Sequence, residues 1–242
     1  LTLASEQVQS GLNVFVLYLK GKPDLRNEFE VAGVEVNNLL VGKSFLKQIF
    51  LLSKYLRKNP SPVHAHLPKS ELLAAIVVPN KYFIFTRHNS EPFWPGSPRI
   101  ISNLLSKFVC KRASQGIAIS NAVKSYLIKR GEIPTGYIID VVYYGFQKDS
   151  STNSPGLNSI TNLMTSKSSE FKIGTIGRLV PQKDYPTLLS AFSNVLKSVP
   201  STELYVVGEG YLQKELIELS KLLGVKSKVH WLGKTEYINE FL

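Results

Sequence analysis

The chain has 242 residues, 43% hydrophobic and 19% charged, which suits a soluble globular protein of one large domain or two modest ones. One cysteine, Cys110, excludes an internal disulfide and fits a reducing cytoplasm. No apolar run reaches the length of a membrane span. The net charge of +11 is uneven: residues 1–169 carry 20 Lys/Arg against 10 Asp/Glu, and residues 170–242 carry 9 against 8. The basic excess therefore lies in the first part, where it either attracts an anionic partner such as a membrane surface or acts as general solubility charge.

Residues 1–10 read as a helix ending at Gly11, and Asn13–Leu19 as a buried strand. No signal peptide is visible, and the chain opens inside this helix and ends at Leu242 without a stop signal, as a fragment cut at both ends would. Residues 31–36 read as a helix end leading into a short strand. Residues 43–58 form an amphipathic helix, with Phe45, Ile49, Leu52 and Leu56 inward and Lys43, Lys47, Lys54 and Lys58 on another face. That basic face is either simply solvated or a contact for anionic lipid.

Residues 62–68 read as a short strand in which His64 and His66 share one face. No cysteine or carboxylate follows at zinc-site spacing, so no metal site is expected there. Glu71 opens the next helix. Tyr82–Thr86 reads as a buried strand, and Arg87–Trp94, with His88 and Asn89, as the loop at its carboxyl end. Ser97-Pro98 starts a helix whose buried face is expected to hold Ile100, Ile101, Leu104, Leu105, Phe108 and Val109. Cys110 within it reads as an incidental thiol. Gly116–Ile119 is a strand, Ser120 caps a helix over 121–130 ended by Gly131, and Ile138–Tyr143 is a further strand.

Residues 147–169 are rich in Ser, Thr and Asn and low in apolar periodicity. They read as a linker with local helix at Leu157–Met164. The boundaries expected are a domain at 1–150, a linker at 151–169 and a second domain at 170–242. The second domain has a βαβαβ pattern over 172–177, 186–199, 203–208, 211–223 and 228–232. Its first strand ends at Gly177, and a loop carries Arg178 and Lys183 to a helix starting near Pro186. Ligands bind at the carboxyl ends of strands in open parallel sheets, and helix N-termini favour anions, so the simplest ligand is a phosphate or diphosphate. The alternative is two solvated loop cations.

The run G-R-L-x-x-x-K-D at 177–184, an amphipathic helix, then Leu204–Gly210 and Val229–Gly233 resembles the donor-binding domain of family 4 glycosyltransferases. The earlier segments V-H-A-H-x-P-x-x-E-L-L-A, T-x-H-N and I-A-I-S-N-A-V-K-S-Y-L resemble the same family's acceptor domain. Tyr144-Gly145-Phe146 departs from it, standing where the family has an asparagine-glycine-aliphatic turn. The resemblance implies an α/β protein of GT-B fold: two Rossmann-like domains facing across a cleft, the first lacking its initial strand and the second incomplete. A pair of glutamates seven residues apart, which the family uses to hold the donor's sugar and ribose, would lie beyond residue 242, and the fragment alone is expected to be inactive.

By resemblance, His88, Arg178 and Lys183 are catalytic, and Gly177, Arg178, Lys183, Gly208, Glu209 and Gly210 hold the donor diphosphate. His64, His66, Glu71, Asn89 and Ser120 line the acceptor side. The implied activity is retaining transfer from a UDP- or GDP-sugar to a glycan or lipid-linked acceptor in surface polysaccharide, lipopolysaccharide or glycolipid synthesis. It is expected to need no cofactor and no metal, since the chain contains no Asp-x-Asp. The implied location is cytoplasmic, with peripheral contact at the inner face of an anionic membrane and no nucleic-acid partner. The alternatives are a GT-B nucleotide-sugar epimerase and a non-catalytic basic module on anionic lipid.

Overall fold

The structure, a computed structural model, describes residues 1–21, 25–145 and 171–235. The chain divides into two compact units, Leu1–Phe146 and Gln147–Leu242. The linker expected at 151–169, and the helix expected within it, lie outside the described residues.

In the first unit the elements are α1 (Thr2–Gln9), β1 (Phe15–Leu17), α2 (Arg26–Val31), β2 (Glu35–Asn37), α3 (Phe45–Lys58), β3 (Val63–His66), α4 (Pro68–Val77), β4 (Phe83–Arg87), α5 (Arg99–Arg112), β5 (Gln115–Ala118), α6 (Asn121–Arg130) and β6 (Ile139–Val141). Strands β1 and β2 pair in parallel, and β3-β4-β5-β6 form a parallel sheet in that order. Right-handed crossovers between successive neighbours place α4, α5 and α6 on one face of this sheet. Phe83 and Phe85 of β4 are 0% exposed at the centre of the core. A Cβ on Gly116 of β5 would stand 2.5 Å from Cζ of Phe85, so the glycine makes room for that ring.

Helix α3 follows its periodicity: Ser44 caps it by accepting from the Lys47 N–H at 3.4 Å, and Leu52 is buried with Phe45, Ile49 and Leu56 packed beside it. Helix α5 does not. Ser102, Ser106, Val109 and Cys110 face the sheet, while Ile100, Ile101, Leu104 and Phe108 are exposed. The reason is polar. The Ser106 hydroxyl accepts from Arg87 Nη2 at 3.1 Å and the Ser102 hydroxyl from the Trp94 N–H at 3.1 Å, so the small polar stripe is the one that seats on the core. Arg87, expected on a loop, is instead the last residue of β4 and is 6% exposed.

The second unit is a parallel βαβαβ sheet ordered β7 (Phe171–Ile176), β8 (Thr202–Val207), β9 (Val229–Gly233), joined by α7 (Tyr185–Ser198) and α8 (Gln213–Leu222). Central strand β8 is buried at all six residues. Leu189, Phe192, Leu204, Val206 and Leu216 form the core, with Leu212, Leu219 and Leu223 of the second helix region packed against it as their spacing predicts.

Candidate functional site

In the second unit the chemistry gathers at the carboxyl ends of β7 and β8. After β7, Gly177 and Arg178 enter a loop, residues 181–183 make one 3-10 turn, and Asp184 adopts a left-handed conformation (φ 48°, ψ 45°) at the N-cap of α7. The Tyr185 hydroxyl donates back to the Gly177 carbonyl at 3.0 Å, closing the loop onto its strand. A Cβ on Gly177 would lie 3.7 Å from Cγ and Cδ of Lys183, so the lysine stem runs along the glycine backbone at the strand end. Arg178 and Lys183 are both exposed, and among the described residues neither has a side-chain partner.

Gly208 and Gly210 stand against the backbone of the neighbouring loop. A Cβ on Gly208 would stand 2.0 Å from the Gly177 carbonyl oxygen, and one on Gly210 would stand 2.2 Å from that of Leu179. The glycines let the β8 loop lie directly on the β7 loop, stitched by Gly177 N–H to Val207 O at 2.9 Å and Leu179 N–H to Glu209 O at 3.0 Å. They set the position of the Arg178 loop; their missing side chains face protein backbone. The Glu209 carboxylate, itself exposed, accepts from the Lys234 N–H at 3.4 Å.

In the first unit the polar groups gather at the ends of β3 and β4. The parallel register sets His64 beside Ile84 and His66 beside Thr86. The rings of His64 and His66 stand 4.3 Å apart, and those of His66 and His88 5.0 Å apart. His64 Nε2 pairs with the Thr86 hydroxyl at 2.7 Å, His66 Nδ1 with His88 Nε2 at 2.8 Å, and His88 Nδ1 with the Tyr144 hydroxyl. Burial lowers the pKa of all three imidazoles. The neighbouring His64 and His88 rings lower His66 further, to about 4. At neutral pH the cluster is therefore uncharged, and its ring nitrogens donate and accept hydrogen bonds as neutral groups. Leu67, next to His66, holds φ at 73°, a costly angle for a branched side chain, which turns the chain sharply from β3 into α4.

Behind the histidines lies a buried ion group that the sequence did not reveal. Arg87 Nε donates to Glu71 Oε2 at 2.7 Å, and Arg87 Nη1 lies 3.6 Å from Glu132 Oε2; both glutamates are 0% exposed. The guanidinium stacks between Phe85 and Phe93 at 5.1 and 4.4 Å from their ring centres. Burial pushes the Glu71 carboxyl up to about 7, against the pull of Arg87. Glu71, Arg87, His88 and Asn89 help to line a cavity of about 10 Å³, room for one water.

Of the residues expected to line the acceptor side, the structure brings His64 and His66 together, next to His88, which was expected to be catalytic. It commits Glu71 to Arg87. Ser120 caps α6 by accepting from the Val123 N–H at 3.2 Å, and Asn89 donates to Glu91 Oε2 at 2.8 Å. Glu132 accepts from the Phe93 N–H at 3.0 Å and pairs with Arg130 at 3.1 Å, tying the loop after β4 to the end of α6. Cys110 is buried, and burial pushes its thiol up to about 12, so it is an inert core residue. Among the described residues no cluster of three or more His, Cys, Asp or Glu is arranged to hold a metal ion, and no helix is long and apolar enough to cross a membrane.

Two parallel α/β units, each with polar groups at the carboxyl ends of its strands, define the class: a GT-B glycosyltransferase fold. Residues 1–145 match the family Glycosyltransferase Family 4, and residues 164–242 match Glycosyl transferases group 1; the chain belongs to glycosyltransferase family 4. No curated protein sequence matches it. Among solved structures, Anabaena HepE in complex with UDP-glucose superposes with TM-score 0.75 at 19% identity, over 99% of this chain and 66% of that one. A glycosyltransferase from Rickettsia africae ESF-5 gives 0.69 at 18% identity over 99% and 64%. WaaG, a glycosyltransferase involved in lipopolysaccharide biosynthesis, gives 0.63 at 15% over 99% and 66%. The chain thus spans just under two thirds of the length of these proteins, and at such identities the likeness establishes the fold.

Proposed function

We propose that this chain serves a retaining glycosyltransferase that moves a sugar from a UDP- or GDP-sugar to a glycan or lipid-linked acceptor. The observation that carries the reading is the pair Arg178 and Lys183: two exposed cations without partners among the described residues, at the end of β7 and before the N-terminus of the 14-residue helix α7. Breaking the bond between the sugar and the diphosphate leaves negative charge on the departing phosphate oxygens. The planar Arg178 guanidinium can bridge two of them, and Lys183 supplies a mobile point charge. In this reading the two cations meet the phosphate charge and no metal is assigned a step.

In this reading the first unit presents neutral His66, oriented by its hydrogen bond with His88, to hydroxyls of sugar and acceptor, giving hydrogen bonds without adding a competing cation. HepE's complexes with UDP and UDP-glucose support a UDP-sugar, and WaaG's place in lipopolysaccharide synthesis supports a surface glycan or glycolipid acceptor made at the cytoplasmic face of a membrane.

The test is calorimetric titration of UDP, GDP and their sugars into the protein and into its Arg178→Ala/Lys183→Ala variant. Binding of one nucleotide, abolished in the variant, is the expected result, and transfer should fall by about 10²–10³-fold per lost charge. Equal binding by the variant would remove the diphosphate from this loop.

A further inference from the structure

Strand β6 runs out into two aromatic residues. The Val142 N–H still donates to the Ala118 carbonyl at 3.0 Å, and Tyr143 and Tyr144 then follow past the carboxyl edge of the sheet, 64% and 66% exposed. A single exposed tyrosine is ordinary surface. These two are held in place. Asn121 Nδ2, on the first residue of α6, donates to the Tyr143 hydroxyl at 2.9 Å. The Tyr144 hydroxyl meets Nδ1 of His88, just past the end of β4. Each ring is tethered at its tip while most of its surface stays open. A tethered aromatic ring loses little further freedom when a ligand lies against it.

The groups beside Tyr144 define what that ligand is. His66 is exposed, and its Nδ1 is engaged with His88 Nε2 at 2.8 Å, which leaves Nε2 without a partner among the described residues. An open aromatic face thus stands next to a neutral imidazole. A pyranose matches this pairing: its ring faces carry C–H groups and its rim carries hydroxyls. The C–H face suits the electron-rich face of a phenol ring, and a rim hydroxyl suits the imidazole nitrogen. A polyol phosphate has no such face, and a bare lipid phosphate has no such rim. We propose that Tyr144, flanked by Tyr143, is the platform on which a pyranose ring of the acceptor lies, so that the acceptor is a glycan. The proposal rests on the sugar-transfer reading for the role of that glycan as acceptor. Since the family turn has an asparagine where Tyr144 stands, the platform sets this chain's own specificity.

The experiment is saturation-transfer NMR of the whole chain with methyl β-glucoside, methyl β-galactoside and lactose, and with glycerol 1-phosphate as the ring-free probe, all without nucleotide. Transfer to the axial ring hydrogens of at least one glycoside, and none to glycerol 1-phosphate, is expected. Tyr144→Leu should raise the glycoside Kd at least about tenfold, because the aromatic face is lost. Tyr143→Leu should raise it less, and Tyr144→Phe should keep most of the binding because the ring remains. Both tyrosines are exposed, so each variant should keep the wild-type circular dichroism spectrum. Absence of transfer to every glycoside overturns the proposal, as does undiminished binding by Tyr144→Leu. It also falls if Tyr144→Phe loses as much as Tyr144→Leu, since the hydroxyl and not the ring face would then be the contact. Nucleotide binding without glycoside contact would remove the platform alone. Glycoside binding that needs Tyr144, without nucleotide binding, would keep the platform and remove the donor-site reading.

Discussion

The Tyr144 hydroxyl meets Nδ1 of His88, and the two rings stack 5.9 Å apart at 16°. With His66 on the opposite nitrogen, both ring nitrogens of His88 are engaged. A phenol is the stronger donor of the pair, so Tyr144 donating to Nδ1 leaves the His88 hydrogen on Nε2, aimed at His66 Nδ1, and the His66 hydrogen on its own Nε2. One hydroxyl thereby sets two tautomers. Tyr144→Phe keeps the stack and deletes the hydrogen bond; in a sugar-transfer assay kcat/KM should fall about 3- to 10-fold, the worth of one exposed hydrogen bond, with the nucleotide Kd unchanged. Full activity in Tyr144→Phe would show that the tautomer is set elsewhere.

Arg87 faces two fully buried carboxylates: Glu71, which it holds at 2.7 Å, and Glu132, which it shares with Arg130. Arg87→Ala strands Glu71 and leaves Glu132 to Arg130 alone, and the cost of breaking a buried charge group is about 3–5 kcal/mol. Urea denaturation should show that loss, and Arg87→Met combined with Glu71→Gln and Glu132→Gln should recover part of it. A loss below about 1 kcal/mol for Arg87→Ala would mean that one glutamate is already protonated and needs no partner.

Much of this was legible because local chemistry and tertiary fate agree. Ser44 and Ser120 cap the helices their sequence announces, and the second unit's βαβαβ order follows its apolar runs. The departure at Tyr144 was visible as a break in a motif, but its partner, 56 residues away, was not. Helix α5 misled because periodicity ranks side chains by hydrophobicity alone. Its inward face was chosen by Ser106 reaching Arg87, a contact invisible until β4 and α5 are adjacent. Arg87 and Glu132 carry no spacing signal; only the fold makes them neighbours. Gly208 and Gly210 were recognisable as special, yet what they approach is backbone of their own unit.

Gly208 tests that last point. Its φ of 136° is outside the range that side chains favour, and a Cβ would lie 2.0 Å from the Gly177 carbonyl oxygen. The obstacle is backbone and cannot swing aside. Gly208→Ala should therefore cost about 3 kcal/mol or more by overpacking and strain, and displace the Arg178 loop. Nucleotide affinity and thermal midpoint should drop together; a variant of wild-type stability would show that the two loops are free to separate.

The histidine cluster predicts a pH dependence of defined sign. His66 has a folded pKa of about 4 against an ordinary 6.5, so between those values the unfolded chain binds more protons at this site than the folded one. Stability from this group is complete above 6.5 and is lost as pH falls toward 4. Glu71 works the other way: with its folded pKa raised from 4.5 to about 7, the folded chain binds more protons and loses stability as pH rises through that window. The two slopes overlap, so the wild-type curve alone cannot separate them. His66→Gln removes the first and leaves the second. Compared with that variant, the wild type should lose stability steadily in chemical denaturation from pH 6.5 to pH 4, and parallel curves would mean that His66 titrates as a solvated imidazole.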